Sequence, residues 1–204
     1  MQRLLLAALC LLPSAAIAEQ GETIAGLHGG AHFPGFRSQQ PTDFVLATWT
    51  AGAWAEYGVL DDLFLGGRFV YSRFDALDGG RTTEVDGFDV TGDLRFALET
   101  WHPQITARYT LLAGYTVAPR LHVAGGYVWQ VVGDQRLDTA DGSAAVDGLA
   151  DEGRGAFTVS AGLMADARLF DLILVGVGLE YTRLLGDHAW RHAITAPLTV
   201  GVFW

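Results

Sequence analysis

The sequence predicts an all-β fold: an eight-stranded antiparallel up-and-down β-barrel that crosses a membrane. Three observations predict it. Apolar residues recur with a period of two through eight runs, the spacing of a half-buried strand. The connections between the runs alternate strictly between short and long. The charged residues inside the runs fall on the face opposite the apolar one.

The first residues read as a processing signal rather than structure. Arg3 supplies a positive start, Leu4 to Leu12 form a short apolar run, and Ala16-Ile17-Ala18 gives an A-x-A cleavage site. Residues 1–18 are therefore expected to be a cleaved signal peptide, and 19–204 the barrel. The apolar run is too short for a membrane helix. Cys10 would leave with it, and Leu9 before it fits a lipid-attachment site poorly. The rest of the chain holds no cysteine for a disulfide or a thiol site.

The eight runs follow in order. They are Thr23 to Phe33, Phe44 to Tyr57, Leu63 to Phe74, Gln104 to Thr116, Leu121 to Gly133, Ala156 to Arg168, Leu172 to Leu185, and a last one that ends at Trp204. Each is about 11 to 14 residues, enough for a tilted strand to cross a bilayer core. Short turns are expected at Gly58 to Asp62, Val117 to Arg120 and Leu169 to Asp171. Longer polar loops are expected at Pro34 to Asp43, Asp75 to Pro103, Asp134 to Gly155 and Gly186 to His192. An even strand number, short periplasmic turns and longer extracellular loops are features of membrane barrels. Val90 to Trp101, inside the second long loop, reads either as a strand extension or as a short helix, and is placed outside the bilayer. Pro197 cannot donate to a ladder, so a bulge or a missing rung is expected there.

Charge and aromatic placement assign the two faces. Glu56, Arg68, Arg108, Asp166 and Glu180 lie inward, where they avoid the roughly 2–4 kcal/mol that a basic residue costs at the lipid midplane. The expected pairs are Arg108 with Glu180, and Arg68 with Glu56 or Asp166, because buried charges must be paired. Arg73 and Arg183 have outward parity at the loop ends, where long side chains can reach headgroups. Tyr57, Tyr115 and Trp204 lie outward at one end of the strands. Tyr71, Trp129, Phe157 and Tyr181 lie outward at the other, as two aromatic girdles would. A water-soluble barrel would reverse the polarity of its faces.

On these features the chain resembles the small eight-stranded outer-membrane barrels, the OmpA-like and OmpX-like group. The final run strengthens the likeness, because Leu198, Val200, Val202 and the terminal Trp204 resemble the assembly signal of such barrels. The resemblance implies an integral protein of a Gram-negative outer membrane, folded by the barrel assembly machinery, monomeric, and touching membrane lipid and lipopolysaccharide. Arg73 and Arg183 are the candidate lipopolysaccharide contacts. It implies a structural or surface-interaction role, with an extracellular ligand taken through the loops. A narrow, porin-like passive pore is the alternative, and a lipid-modifying enzyme at the rim is a second one.

The chemistry-bearing residues favour no enzyme and no cofactor. Ser72, Asp187, His188 and His192 are the candidates for a nucleophile and its partners. Ser72 points inward, however, and no His-x-Ser pair shares a face. His28 and His32 share a face but are about 13 Å apart along a strand. His188, His192 and Asp187 could cluster at a loop tip, and Asp138, Asp141, Asp147, Asp151 and Glu152 make the third loop acidic. Solvated loop polarity accounts for both groups, so no metal site is assigned. Twenty-three acids against 13 bases argue against nucleic acid as a partner.

Overall fold

The computed structural model describes residues 20–36, 44–45, 48–85, 88–112, 115, 117–145, 155–185 and 190–204. The signal segment with Cys10, the loop residues Asp187 and His188, and Asp147, Asp151 and Glu152 lie outside them. Among the described residues, ten strands are formed: β1 (Thr23–Phe36), β2 (Phe44–Val45), β3 (Thr48–Leu60), β4 (Leu63–Val85), β5 (Phe88–Thr110), β6 (Val117–Thr139), β7 (Gly142–Ala145), β8 (Gly155–Leu169), β9 (Ile173–Leu185) and β10 (Trp190–Phe203).

Eight of the strands close a ring. Each pairs antiparallel with its chain neighbour, in the order β1, β3, β4, β5, β6, β8, β9, β10, and β10 returns to β1. Closure removes both sheet edges, so the backbone groups of these strands are satisfied within the wall. The two short strands are additions, β2 on β4 and β7 on β6.

Two expected connections are strands instead. Asp75 to Pro103 is not a loop. β4 and β5 stay paired from Leu63–Tyr109 to Val85–Phe88, with one irregularity between Asp78 and Arg81. Val90 to Trp101 is thus the upper part of the strand that continues as Gln104 to Thr110, and the barrel keeps eight strands. Pro103 misleads because it reads as a stop. Pairing with β6 does lapse at His102 and Pro103, but the register on either side is the same, and β4 holds the other edge throughout. Pro197 behaves likewise. Pairing with β9 lapses at Ala196 and Pro197, with no register shift, while Pro197 still faces Gly30 on β1. The outcome at Pro197 is a missing rung rather than a bulge, because proline removes one donor and leaves the strand extended.

Val117 to Arg120 is not a turn either. It opens β6, and the turn precedes it, since β5 stops at Thr110. The second run is also split. Phe44–Val45 pairs on β4, and the ring strand begins at Thr48. Part of the third loop extends β6 to Thr139 and returns as β7.

The wall is apolar outside and polar inside. Large hydrophobic side chains such as Leu27, Ile105, Leu163, Leu179 and Leu198 are exposed on the outer surface, while Glu56, Arg108, Arg120, Asp166 and Glu180 are buried in the interior.

Candidate functional site

The lumen is layered from its turn end upward. Ile24, Trp54, Phe64, Leu174 and Phe203 point inward and pack together as an apolar floor. They have the parity of the charged residues, so alternation alone would make them polar. Their large side chains fill the turn end of the barrel, whose eight-stranded interior is just wide enough for its own side chains.

Interleaved with this cluster lies the first charged group. Arg108 Nη2 is 2.5 Å from Glu56 Oε2, and its Nη1 is 3.3 Å from Asp166 Oδ2. Thr106 Oγ1 donates to Glu56 Oε1 at 3.0 Å. Arg120 Nη1 is 3.3 Å from the same Asp166 oxygen. Both guanidiniums lie against aromatic rings of this cluster: Arg108 lies 4.8 Å from the Trp54 ring centre, and Arg120 lies 5.8 Å from that of Phe64. Such cation–π contacts help hold charge out of water. Near the chain ends, Arg168 grips Glu22 through two hydrogen bonds of 2.8 and 3.0 Å and lies over Phe203 at 4.1 Å.

The second group crosses the barrel. Arg68 donates to Glu180 through a two-pronged contact, Nη1 to Oε2 at 2.6 Å and Nη2 to Oε1 at 2.5 Å. Its Nε donates to Gln104 Oε1. Gln104 Nε2 donates to Ser160 Oγ at 3.3 Å, Ser160 lies 2.8 Å from Thr182 Oγ1, and Thr182 donates to Glu180 Oε1 at 3.3 Å. The five side chains form a closed circuit, and with the Ser160 hydroxyl turned to Thr182 both arms end on the Glu180 carboxylate. A fully satisfied polar circuit in a low-dielectric interior is stiff, and its members reinforce one another. β4 and β9 stand diametrically opposite in the eight-strand ring, so this pair braces the barrel across its full width. All 13 basic residues of the chain are arginine. The planar guanidinium fork suits two-pronged carboxylate contacts better than a lysine would.

The five inward charges expected from sequence are thus found inward, but in different pairs. Arg68 takes Glu180, and Arg108 takes Glu56 and Asp166. The reason is the turn position. With β5 ending at Thr110, Arg108 sits two residues from the turn end and is too low to meet Glu180. The same shift carries Arg120 from an expected turn into the lumen. Alternation extended through Pro119 would have signalled Arg120.

Higher still, His28, His32, His102, Ser72, Thr50 and Thr100 line a cavity of about 30 Å³ above the Arg68–Glu180 brace. His102 Nε2 is 2.5 Å from Thr158 Oγ1, and His32 Nδ1 is 2.9 Å from Thr195 Oγ1. No group of His, Cys, Asp or Glu among the described residues has metal-binding geometry. Leu98, Val128, Ala156, Leu184 and Ala193 pack together as a second inward apolar cluster, toward the outer end.

The outer surface carries the remaining sequence candidates. Leu198, Val200, Val202 and Trp204 all face outward and are exposed. Trp204 also ends the barrel seam, exchanging backbone hydrogen bonds with Thr23 at 3.0 and 3.1 Å. Trp49, Tyr71 and Trp101 form a continuous aromatic cluster at the outer end, with centroid separations of 5.9 and 4.8 Å. Tyr127 joins Trp129 and Phe157 there in the same way. Trp101 was hidden in the expected loop. Arg73 is paired with Glu99 at 3.3 Å and with Asp134 at 2.8 Å. Arg183 is exposed at the same end, in register with His192. Ser72 is buried in the lumen and His192 faces outward, so the wall separates two of the residues a catalytic triad would need together.

No protein-family model matches the sequence, and no curated protein sequence does. Solved structures do match by shape. The chain is similar to Ail, the attachment invasion locus protein of Yersinia pestis, with a TM-score of 0.51 and 11% identity, covering 91% of this chain and 99% of that one. It is similar to Neisserial surface protein A, with a TM-score of 0.51 and 12% identity over 93% and 98%. It is also similar to a major outer membrane protein of Thermus thermophilus, with a TM-score of 0.56 and 12% identity over 91% and 100%. Identities this low establish a shared fold, that of the small outer-membrane β-barrels.

Proposed function

We propose that this chain, whose fold is that of the small outer-membrane barrels, is an integral protein of a Gram-negative outer membrane. It is exported with a cleaved signal peptide, inserted by the barrel assembly machinery and monomeric. It acts as a structural element or through surface interaction at its outer loops, without catalysis of its own. The observation that carries the reading is the Arg68–Glu180 brace. A two-pronged ion pair joining opposite strands of an eight-stranded ring occupies the path a solute would take. A passive pore would need that brace to open, which makes conductance the discriminating measurement.

The outer wall supports the membrane assignment. Its exposed apolar band and its aromatic clusters match what lipid would wet. Of the two rim arginines, Arg183 would meet lipopolysaccharide phosphates, whereas Arg73 is already held by Glu99 and Asp134. The long β4–β5 hairpin and β7 rise on one side of the barrel and would present the surface to an extracellular ligand.

The test has two parts. The purified protein, run on a gel with and without boiling, is expected to migrate as two forms, the compact one only when unboiled. In planar bilayers the same protein is expected to give no conductance steps. Stable folding in buffer without detergent would remove the membrane assignment, and regular conductance would replace the closed barrel with the narrow pore.

A further inference from the structure

The outer wall is not uniformly filled. Along the β8–β9 seam, Ala161 faces Tyr181, Leu163 faces Leu179, and Ala165 faces Val177. Ala161 and Ala165 lie on either side of Leu163, and their small side chains leave a depression bordered by Leu163, Leu179 and Tyr181 and apolar over nearly all its lining. It is shallow and open along the outer surface. At its outer end the seam changes character. Arg183 follows on β9, two residues above Tyr181, paired in register with His192 on β10. The His192 ring lies stacked 6.1 Å from Tyr181. An apolar trough thus leads up to an aromatic ring, an imidazole and a guanidinium.

The two outer-rim arginines differ in a way that matters. Arg73 is already neutralised by Glu99 and Asp134. Among the described residues, no carboxylate pairs with Arg183. A guanidinium offers parallel N–H donors matched to phosphate oxygens. Placed at the membrane interface above a groove for hydrocarbon, it is complementary to an anionic amphiphile rather than to a neutral lipid or a soluble anion.

We propose that the β8–β9–β10 face is a specific site for one phosphate-bearing membrane lipid, with its phosphate on Arg183 and His192 and an acyl chain in the Ala161–Ala165 trough. The inference rests on the outer-membrane reading above and deepens it by naming one lipid class and one face.

The experiment is native mass spectrometry of the protein released from detergent micelles. The micelles are doped with equal amounts of dioleoyl phosphatidic acid and dioleoylglycerol, and glycerol 3-phosphate serves as a headgroup-only competitor. One phosphatidic acid is expected to remain bound in preference to the neutral lipid and to resist the competitor. Arg183→Gln should lower that occupancy severalfold, and Ala165→Phe should lower it severalfold by filling the trough. Arg73→Gln should leave it unchanged. Both test positions face outward, and folding of each variant is checked by its unboiled gel migration; if Ala165→Phe does not fold, Arg183→Gln still decides. Equal retention of the two lipids, displacement by glycerol 3-phosphate, or no effect of Arg183→Gln would overturn the site. Failure of the wild-type protein to enter bilayers at all would instead overturn the outer-membrane reading.

Discussion

Asp166 on β8 faces Gly176 on β9, and its carboxylate lies against the glycine where a side chain would begin. A Cβ built at Gly176 would sit 1.8 Å from Asp166 Oδ1. Glu56 stands in the same relation to Gly66, whose Cβ would lie 2.7 Å from Glu56 Cγ and 2.0 Å from a wall carbonyl. Within an eight-stranded ring the acids reach the arginines only by folding over a neighbour that has no side chain. The glycine pattern and the charge network are one design.

Gly176→Ala is therefore expected to displace Asp166 from Arg108 and Arg120. Overpacking of a filled interior costs about 1–3 kcal/mol. Equilibrium urea unfolding in lipid vesicles, followed by tryptophan fluorescence, should show a loss of that size. Gly80→Ala makes a poor control because of its positive φ of 69°. Gly133→Ala, where an added Cβ meets nothing within 4 Å, should be close to neutral.

The brace gives the sharpest coupling. Arg68→Met or Glu180→Met alone leaves a buried charge without its partner, at a cost of about 3–5 kcal/mol. The double variant removes both charges and should recover most of that loss. A double-mutant cycle in vesicles measures the coupling, and strictly additive costs would mean that the two residues do not act as a pair.

Bilayer conductance tests the same residues functionally. Arg68→Ala combined with Glu180→Ala shortens both halves of the brace. Small conductance steps are expected from this variant and none from the wild type. Silence from both would show that the apolar floor of Trp54, Phe64 and Phe203 is the tighter barrier.

The outer wall has its own test. Leu179 lies midway along β9 and faces outward. Leu179→Arg should destabilise the folded barrel in vesicles by about 2–4 kcal/mol, the cost of a basic residue at the bilayer midplane. Arg183→Leu, near the interface, should change stability by under about 1 kcal/mol. Equal effects at the two positions would contradict the depth implied by the strand registers.

At the seam, Trp204→Ala keeps the backbone bonds to Thr23 available but removes the terminal aromatic. The folded fraction recovered in vesicles containing the purified assembly machinery should fall. The final stability of what does fold should change little. A large stability loss instead would make Trp204 a structural anchor rather than a signal.

Much of this is legible in the sequence alone. The facing of Arg68, Arg108, Asp166 and Glu180 followed from alternation, because parity along a strand is local and needs no knowledge of any other strand. The exposure of Leu198, Val200, Val202 and Trp204 followed in the same way. Strand ends were less legible. Pro103 and Pro119 look like breaks, yet each sits in a strand that its other neighbour holds, and that support is invisible in one dimension. Misplacing the turn before β6 hid Arg120 and raised Arg108 to the wrong height. The inward Trp54, Phe64 and Phe203 were missed for a different reason. Their parity says inside, but only closure of the ring brings them together as one apolar cluster.

Inward or outward is thus written residue by residue in this chain, since a pleated backbone turns successive side chains to opposite faces. Which inward residue meets which was decided only by closure. Arg68 and Glu180 are 112 positions apart and come into contact because eight strands in this register place β4 across from β9. That partnership belongs to the ring as a whole, and no segment of the chain contains it.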